Sequence, residues 1–286
     1  MSSHFLQRLL ISLISTLVVG FGIYFSYHPL FKPIYILVNA GVICLAIIEY
    51  YRLVETKGFH PLTWLGVGCT TAYVIASYLG ISYPSAAELP AFTLFSFLII
   101  FFLAYFYRQT EPLSNLAVTV FGIVYLTIPL TYILKINYLS EGGIEGRLWL
   151  TYILVVTKIT DVGAYLSGST LGKTKLAPTI SPKKTIEGAI GGILAALATS
   201  IAFYFFLSHY YPTQMTLWQS IWLGIVLAIL SEFGDLAESV LKRDAGVKDS
   251  SKLPGIGGFL DMVDSLVFTL PFMYLLLKMG YFNLSP

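Results

Sequence analysis

Residues 218–240 read WQSIWLGIVLAILSEFGDLAESV, an apolar stretch that sets the architecture expected for the whole chain. About 20 consecutive apolar residues are enough for a helix to cross the hydrocarbon core of a bilayer. The chain contains about nine such windows, which predicts an all-α polytopic membrane protein. We expect spans near 9–27, 33–51, 62–82, 90–107, 114–134, 148–168, 186–208, 218–240 and 260–280.

The overall composition supports the same class. Hydrophobic residues make up 56% of the 286 residues and charged residues only 11%, far from the averages of soluble proteins. The net charge of +2 does not indicate a nucleic-acid-binding surface. We therefore expect an integral membrane protein without a nucleic-acid partner.

The basic residues predict how the spans are oriented. Lys and Arg concentrate on the cytoplasmic side of membrane proteins. With the N-terminus inside, the loops at 169–185 and 241–259 are cytoplasmic and carry much of the positive charge, whereas the outer segments hold only Lys32, Lys135 and Arg147. We divide the chain into an N-terminal region of about five spans and a C-terminal region of about four spans with two basic loops. Their bounds are 1–147 and 148–286.

Carboxylates gather in the C-terminal region, where their helical spacing gives them a common direction. Asp235, Glu238 and Lys242 follow one face of the eighth span, and Asp261 and Asp264 open one face of the ninth. Both faces point to the cytoplasmic end, which predicts a polar cavity there with oxygen ligands for Mg²⁺. Two plainer interpretations stay open: charged helix ends that pair with each other, and capping of the ninth span.

A second polar stretch, residues 161–192, reads DVGAYLSGSTLGKTKLAPTISPKKTIEGAIGG. Its glycines and lysines predict a flexible basic loop ahead of the seventh span. A helix N-terminus beside lysines attracts phosphate. The preference of positive residues for the cytoplasmic side is the alternative explanation of the lysines.

Two segments resemble the phosphatidate cytidylyltransferase (CDP-diacylglycerol synthase) family. They are SVLKRDAGVKDSSKLPGIGGFLDMVD at 239–264 and ISPKKTIEG at 180–188. Ile256 and Met262 depart from that pattern, where a His and an Arg are usual. The resemblance implies transfer of a cytidylyl group from CTP to phosphatidic acid at the membrane, with release of pyrophosphate.

The resemblance also implies the site residues and the cofactor. Mg²⁺ is expected, and a second cation bound alongside it is left open, as is a homodimer. The implied catalytic residues are Asp235, Lys248, Asp249 and Asp261. The implied metal ligands are Asp235, Asp249, Asp261 and Asp264. The implied substrate-binding residues are Lys173, Ser181, Lys184, Ser239, Lys242 and Arg243.

Two other functions are alternatives to this interpretation. A CTP-dependent polyprenol kinase would use similar groups but transfer the terminal phosphate of CTP. A secondary transporter would line a pathway with polar residues, often from two inverted repeats. The charges here lie in one half of the chain, and no repeat between the halves is evident.

Overall fold

The computed structural model describes residues 17–108, 111–139, 144–210, 215–247 and 258–282, which are mostly helical. Numbered in chain order, the first helix, α1, is described over 17–25. The other helices are α2 Phe31–Glu55, α3 Thr63–Ser82, α4 Leu89–Arg108, α5 Pro112–Gly122, α6 Ile128–Asn137, α7 Ile144–Leu171, α8 Ile186–Tyr210, α9 Leu217–Asp244, α10 Phe259–Val263 and α11 Leu266–Lys278. A 3₁₀ turn at Pro84–Ala86 precedes α4, and a π-helical turn at Ile123–Thr127 joins α5 to α6.

Seven helical segments in the described ranges are long and apolar enough to cross a membrane. Each coincides with one of the predicted spans to within several residues at either end. The segments are Phe31–Glu55, Thr63–Ser82, Pro84–Tyr107, Pro112–Asn137, Ile186–His209, Leu217–Asp244 and Phe259–Lys278. The prediction of a helical polytopic membrane protein is therefore confirmed at this level.

The two remaining predicted spans leave the count of nine a prediction. Residues 17–25 of the first span are helical, and the part before residue 17 lies outside the described residues. The sixth coincides with α7, whose 28 residues are long enough to span a bilayer. However, α7 carries Lys158 and Asp161 in its interior, which lowers its hydropathy, and it is not among the seven.

The basic loop between α7 and α8 forms an antiparallel hairpin, a correction to the all-α prediction. Strands β1, Lys175–Ala177, and β2, Ser181–Thr185, pair in this hairpin. Thr185 is buried, and a Cβ added to Gly172 would lie 2.8 Å from its Oγ1, so the loop packs closely on the end of α7. Neither strand alternates apolar and polar residues over four or more positions, the pattern that would have indicated a strand in the sequence.

Helix α4 lies at the periphery of the bundle. Large apolar side chains follow its exposed face at intervals of three or four residues, as expected for a surface in contact with hydrocarbon. They are Phe92, Phe95, Ile99, Phe102 and Phe106.

The helix ends show which loops lie together. Lys57, just after α2, has its Nζ 3.3 Å from Oδ1 of Asp244 at the end of α9. Arg243 Nε donates a hydrogen bond of 2.9 Å to the carbonyl of Ile180 in the hairpin. The hairpin, the end of α2 and the end of α9 therefore share one end of the bundle, which agrees with the placement of both basic loops on the same side.

Candidate active site

Helix α9 is the main support of the candidate site. It begins with a capping box, in which Thr216 Oγ1 accepts from Gln219 N–H and Thr216 N–H donates to Gln219 Oε1. The 28-residue helix then carries Asp235 and Glu238 on neighbouring turns close to its C-terminal end. Its polar groups are thereby held on a regular helix rather than on a loop.

The carboxylates of α9 meet those of the α10–α11 segment, as the helical spacing predicted. Carboxylate oxygens of Asp235, Glu238 and Asp264 all lie within 4.8 Å of one another. Asp264 lies at the turn between α10 and α11, where its Oδ1 accepts from Ser265 N–H at 2.5 Å. A Cβ on Gly234 of α9 would overlap the carbonyl of Asp264, so glycine is what allows this approach. We call these three residues the carboxylate cluster.

Lys242 links this cluster to Asp261. Its Nζ lies 2.6 Å from Glu238 Oε2 and also forms a short ion pair with Asp261 Oδ1. The other oxygen of Asp261, Oδ2, accepts from Gly258 N–H at 2.7 Å. Asp261 therefore lies beside Lys242, next to the carboxylate cluster rather than within it. Its predicted role as a metal ligand stays a prediction.

Lys184 approaches the same cluster from the hairpin. Its Nζ lies 2.5 Å from Glu232 Oε2 and 2.9 Å from Asp235 Oδ2. Burial lowers the pKa of Lys184, but the charges of Asp235 and Glu232 more than offset this, so the pKa lies above its ordinary value. Lys184 is thus a permanent cation at neutral pH. Ser239 Oγ donates to the second oxygen of Asp235 at 3.4 Å.

The remaining predicted phosphate-binding residues lie around the hairpin. Lys173 is exposed, and its backbone N–H donates to Glu187 Oε2 at 3.1 Å. Ser181 opens strand β2 and is half-buried. Arg243 uses Nε and one terminal nitrogen on the carbonyls of Ile180 and Val247, so two of its donors already hold the backbone.

Two predicted catalytic residues of the second basic stretch stay predictions. Lys248 and Asp249, to which catalytic roles were assigned, lie outside the described residues.

Asp161 of α7 pairs with Lys158 at 3.6 Å, and Lys158 also donates to the carbonyl of Met262 at 3.4 Å. A polar connection therefore runs from α7 to α10.

The donor set suits a hard divalent cation. In the part of the chain that the structure describes, Glu238 Oε1 and Ser265 Oγ are buried and have no hydrogen-bond partner. Five carboxylates lie around only two lysines, Lys184 and Lys242, an excess of negative charge that a bound cation would balance. Oxygen donors of this kind fit Mg²⁺.

Three glutamates have roles that sequence reasoning did not assign. Glu238 was placed on the carboxylate face but not among the metal ligands, and the structure puts it in the cluster. Glu232 forms an ion pair with Lys184 of the hairpin. Glu49 of α2 is buried, and its Oε2 accepts from Leu260 N–H at 2.9 Å.

Comparison with known proteins agrees with this chemistry. The model of the cytidylyltransferase family matches residues 6–280. The phosphatidate cytidylyltransferase of Chlamydia pneumoniae is 32% identical over 286 residues, covering 95% of this chain and 91% of that protein. That of Chlamydia muridarum is 36% identical over 170 residues, 58% of this chain and 56% of that protein. That of Staphylococcus aureus (strain COL) is 42% identical over 141 residues, 49% of this chain and 53% of that protein. With a family match over nearly its whole length, the chain belongs to the cytidylyltransferase family, a group of nucleotidyltransferases.

Proposed function

We propose that this enzyme converts phosphatidic acid and CTP into CDP-diacylglycerol and pyrophosphate. The observation that carries the proposal is the carboxylate cluster with Lys184 and Lys242, an arrangement of both charges suited to a metal–triphosphate complex. The names of the related proteins support the same reaction.

In the proposed reaction a phosphate oxygen of phosphatidic acid attacks the α-phosphorus of CTP in line with the leaving group. A new P–O bond forms to the lipid phosphate, the bond between the α-phosphorus and the bridging oxygen breaks, and that oxygen leaves with pyrophosphate. The lipid phosphate is already an anionic nucleophile at neutral pH. No covalent enzyme intermediate is needed, and the main barrier is the approach of two anions.

The residues of the site are suited to reduce this repulsion between the two anionic substrates. Mg²⁺, held by Asp235, Glu238 and Asp264 with Asp249 and Asp261 as further proposed ligands, would neutralise the triphosphate and favour departure of pyrophosphate. Lys184 and Lys242 keep their positive charge beside the carboxylates and are proposed to bind substrate phosphates.

The proposed site faces the cytoplasm and is open sideways to the bilayer. The carboxylate cluster is close to the end of α9 that bears Lys242 and Arg243, and it shares that end with the basic hairpin. CTP would enter from water, whereas phosphatidic acid would keep its acyl chains in hydrocarbon. Lys184, Lys242 and Arg243 are proposed to meet the lipid phosphate at the mouth.

Labelled CTP tests the reaction against the polyprenol kinase alternative. Purified protein is incubated with Mg²⁺ and phosphatidic acid, and in a parallel reaction with a polyprenol, using CTP labelled at the α- or the γ-phosphate. The proposal predicts that only the α label enters the lipid fraction, and only with phosphatidic acid. Transfer of the γ label to the polyprenol would contradict the proposal and identify the protein as a polyprenol kinase instead.

A further inference from the structure

A second polar site lies at the other end of the bundle. A cavity of about 550 Å³ is lined by Lys32 of α2, Lys135 of α6 and Lys278 of α11, together with several tyrosines. Helix α11 starts beside Asp264 and ends at Lys278, and its 13 residues rise about 20 Å. The cavity is therefore well separated from the carboxylate cluster and plays no part in the chemistry proposed above.

The three lysines converge without a balancing carboxylate. Across the described ranges, none of them has an acidic group within ion-pairing distance, and two of them contact aromatic rings instead. Lys32 Nζ lies 5.2 Å from the ring centroids of both Tyr78 and Tyr138. Lys135 Nζ lies 4.7 Å from the centroid of Tyr132. Such contacts hold an ammonium group in place but leave its charge in the cavity.

The walls of the cavity are held by hydrogen bonds between distant segments. Tyr27 hydroxyl donates to the carbonyl of Asn137 at 2.8 Å, and Tyr138 hydroxyl donates to the carbonyl of Ser26 at 2.8 Å. These reciprocal bonds tie the turn between α1 and α2 to the end of α6. The cavity is thus preformed, and its three lysines lie on helices α2, α6 and α11.

Helix dipoles explain only part of this arrangement. Lys135 and Lys278 lie in the last turns of their helices, where a cation is favoured. Lys32 lies in the first turn of α2, where a cation is disfavoured. The lysines also lie at the end opposite the basic hairpin, which the orientation rule predicts to be poor in positive charge. A ligand of opposite charge accounts for all three together.

We propose that this cavity binds a phosphate-bearing anion, either the headgroup of an anionic lipid or free phosphate. Lysine binds phosphate as a point charge, and tyrosine rings pack against the glycerol part of a headgroup. Cavities of roughly 300–1,000 Å³ hold small organic ligands. The volume of this cavity exceeds what inorganic phosphate alone would fill.

Two binding measurements on the full-length protein in neutral detergent separate the two sources. Native mass spectrometry measures binding of dioctanoyl phosphatidylglycerol against dioctanoyl phosphatidylcholine, and equilibrium dialysis measures binding of labelled inorganic phosphate. The test variants are the double substitution Lys32→Gln/Lys135→Gln and the single substitution Lys278→Gln. The matched control is Arg52→Gln/Lys57→Gln, which removes two exposed cations at the opposite end of α2.

We expect the wild-type protein to prefer phosphatidylglycerol to phosphatidylcholine or to bind phosphate. The double variant should weaken that binding at least about tenfold, because each charge-assisted contact is worth about a factor of ten. Lys278→Gln, at an exposed position, should weaken it in the same direction. If the test variants weaken binding of phosphatidylglycerol, the ligand is a lipid headgroup. If they weaken binding of inorganic phosphate, the ligand is free phosphate. No binding in either arm, or equal losses in the test and control variants, would overturn the proposal.

Discussion

The substitution Asp264→Asn tests whether the carboxylate cluster binds a cation or only stabilises the fold. Asn keeps the oxygen that accepts from Ser265 N–H and has almost the same shape. It removes one negative charge that lies within 4.8 Å of both Asp235 and Glu238. Among the described residues, Asp264 has no ion pair with a lysine. The substitution therefore relieves repulsion without breaking an ion pair.

The size of the effect follows from the distances. At an effective dielectric constant of 20, two unit charges 4.8 Å apart repel by about 3 kcal/mol. That figure is an upper limit, because a proton held within the buried cluster relieves part of the repulsion in wild type, and the charge of Asp235, whose side chain is 39% exposed, is screened by solvent. We expect Asp264→Asn to be more stable than wild type by about 1–3 kcal/mol when divalent cations are chelated.

The assay compares thermal unfolding in detergent with EDTA and with Mg²⁺, alongside turnover of CTP. Mg²⁺ should stabilise wild type more than Asp264→Asn, and turnover of the variant should fall at least about 100-fold because the ion is weakly held. Asp244→Asn is the matched control, because Asp244 is 72% exposed and outside the cluster. A variant less stable than wild type in EDTA, or equal stabilisation of both by Mg²⁺, would refute the reasoning.

Three further predictions concern the metal ligands, the hairpin lysine and the topology. Asp235→Asn and Asp249→Asn should each lower turnover at least about 100-fold, whereas Asp244→Asn stays within a few-fold; near-normal turnover in both of the first two would remove the metal assignment. Lys184→Met should lower stability and turnover more than Lys183→Met. Because the pKa of Lys184 is raised, the stability difference from wild type should be constant from about pH 7 to 9 and shrink only above the ordinary lysine value. A difference that already shrinks near pH 8 would contradict this. Single cysteines at positions 175 and 248, introduced with Cys44 and Cys69 replaced by serine, should be labelled from the same face of the membrane, and labelling from opposite faces would exclude the proposed arrangement of spans.

The sequence predicts the spans well because each depends on local composition. Seven predicted spans coincide with apolar helices, and the stripe that contains Asp235 and Glu238 follows directly from helical periodicity. The close approach of two segments is harder to predict from the sequence. Gly234 lies within an ordinary helical pattern, and only the packing of α9 against the Asp264 turn shows why a side chain is excluded there.

The parts of the site that the sequence does not predict are contacts between residues far apart in the chain. Glu232 meets Lys184, which precedes it by 48 residues, and Glu49 meets the backbone of Leu260, 211 residues later. Periodicity says which face of a helix a residue occupies but not which segment packs against that face. The hairpin was missed for a related reason, since Thr185 and the close packing at Gly172 order a segment that reads as a loop.

The most direct test of the central claim is the stoichiometry of the reaction in reconstituted bilayers. Wild-type protein is supplied with phosphatidic acid, Mg²⁺ and CTP labelled at the α-phosphate, and labelled lipid and pyrophosphate are counted in the same samples. The account predicts one labelled CDP-diacylglycerol for each pyrophosphate released, dependence on both phosphatidic acid and Mg²⁺, and loss of both products in Asp235→Asn. Pyrophosphate release without labelled lipid, or equal lipid labelling in Asp235→Asn and wild type, would contradict it.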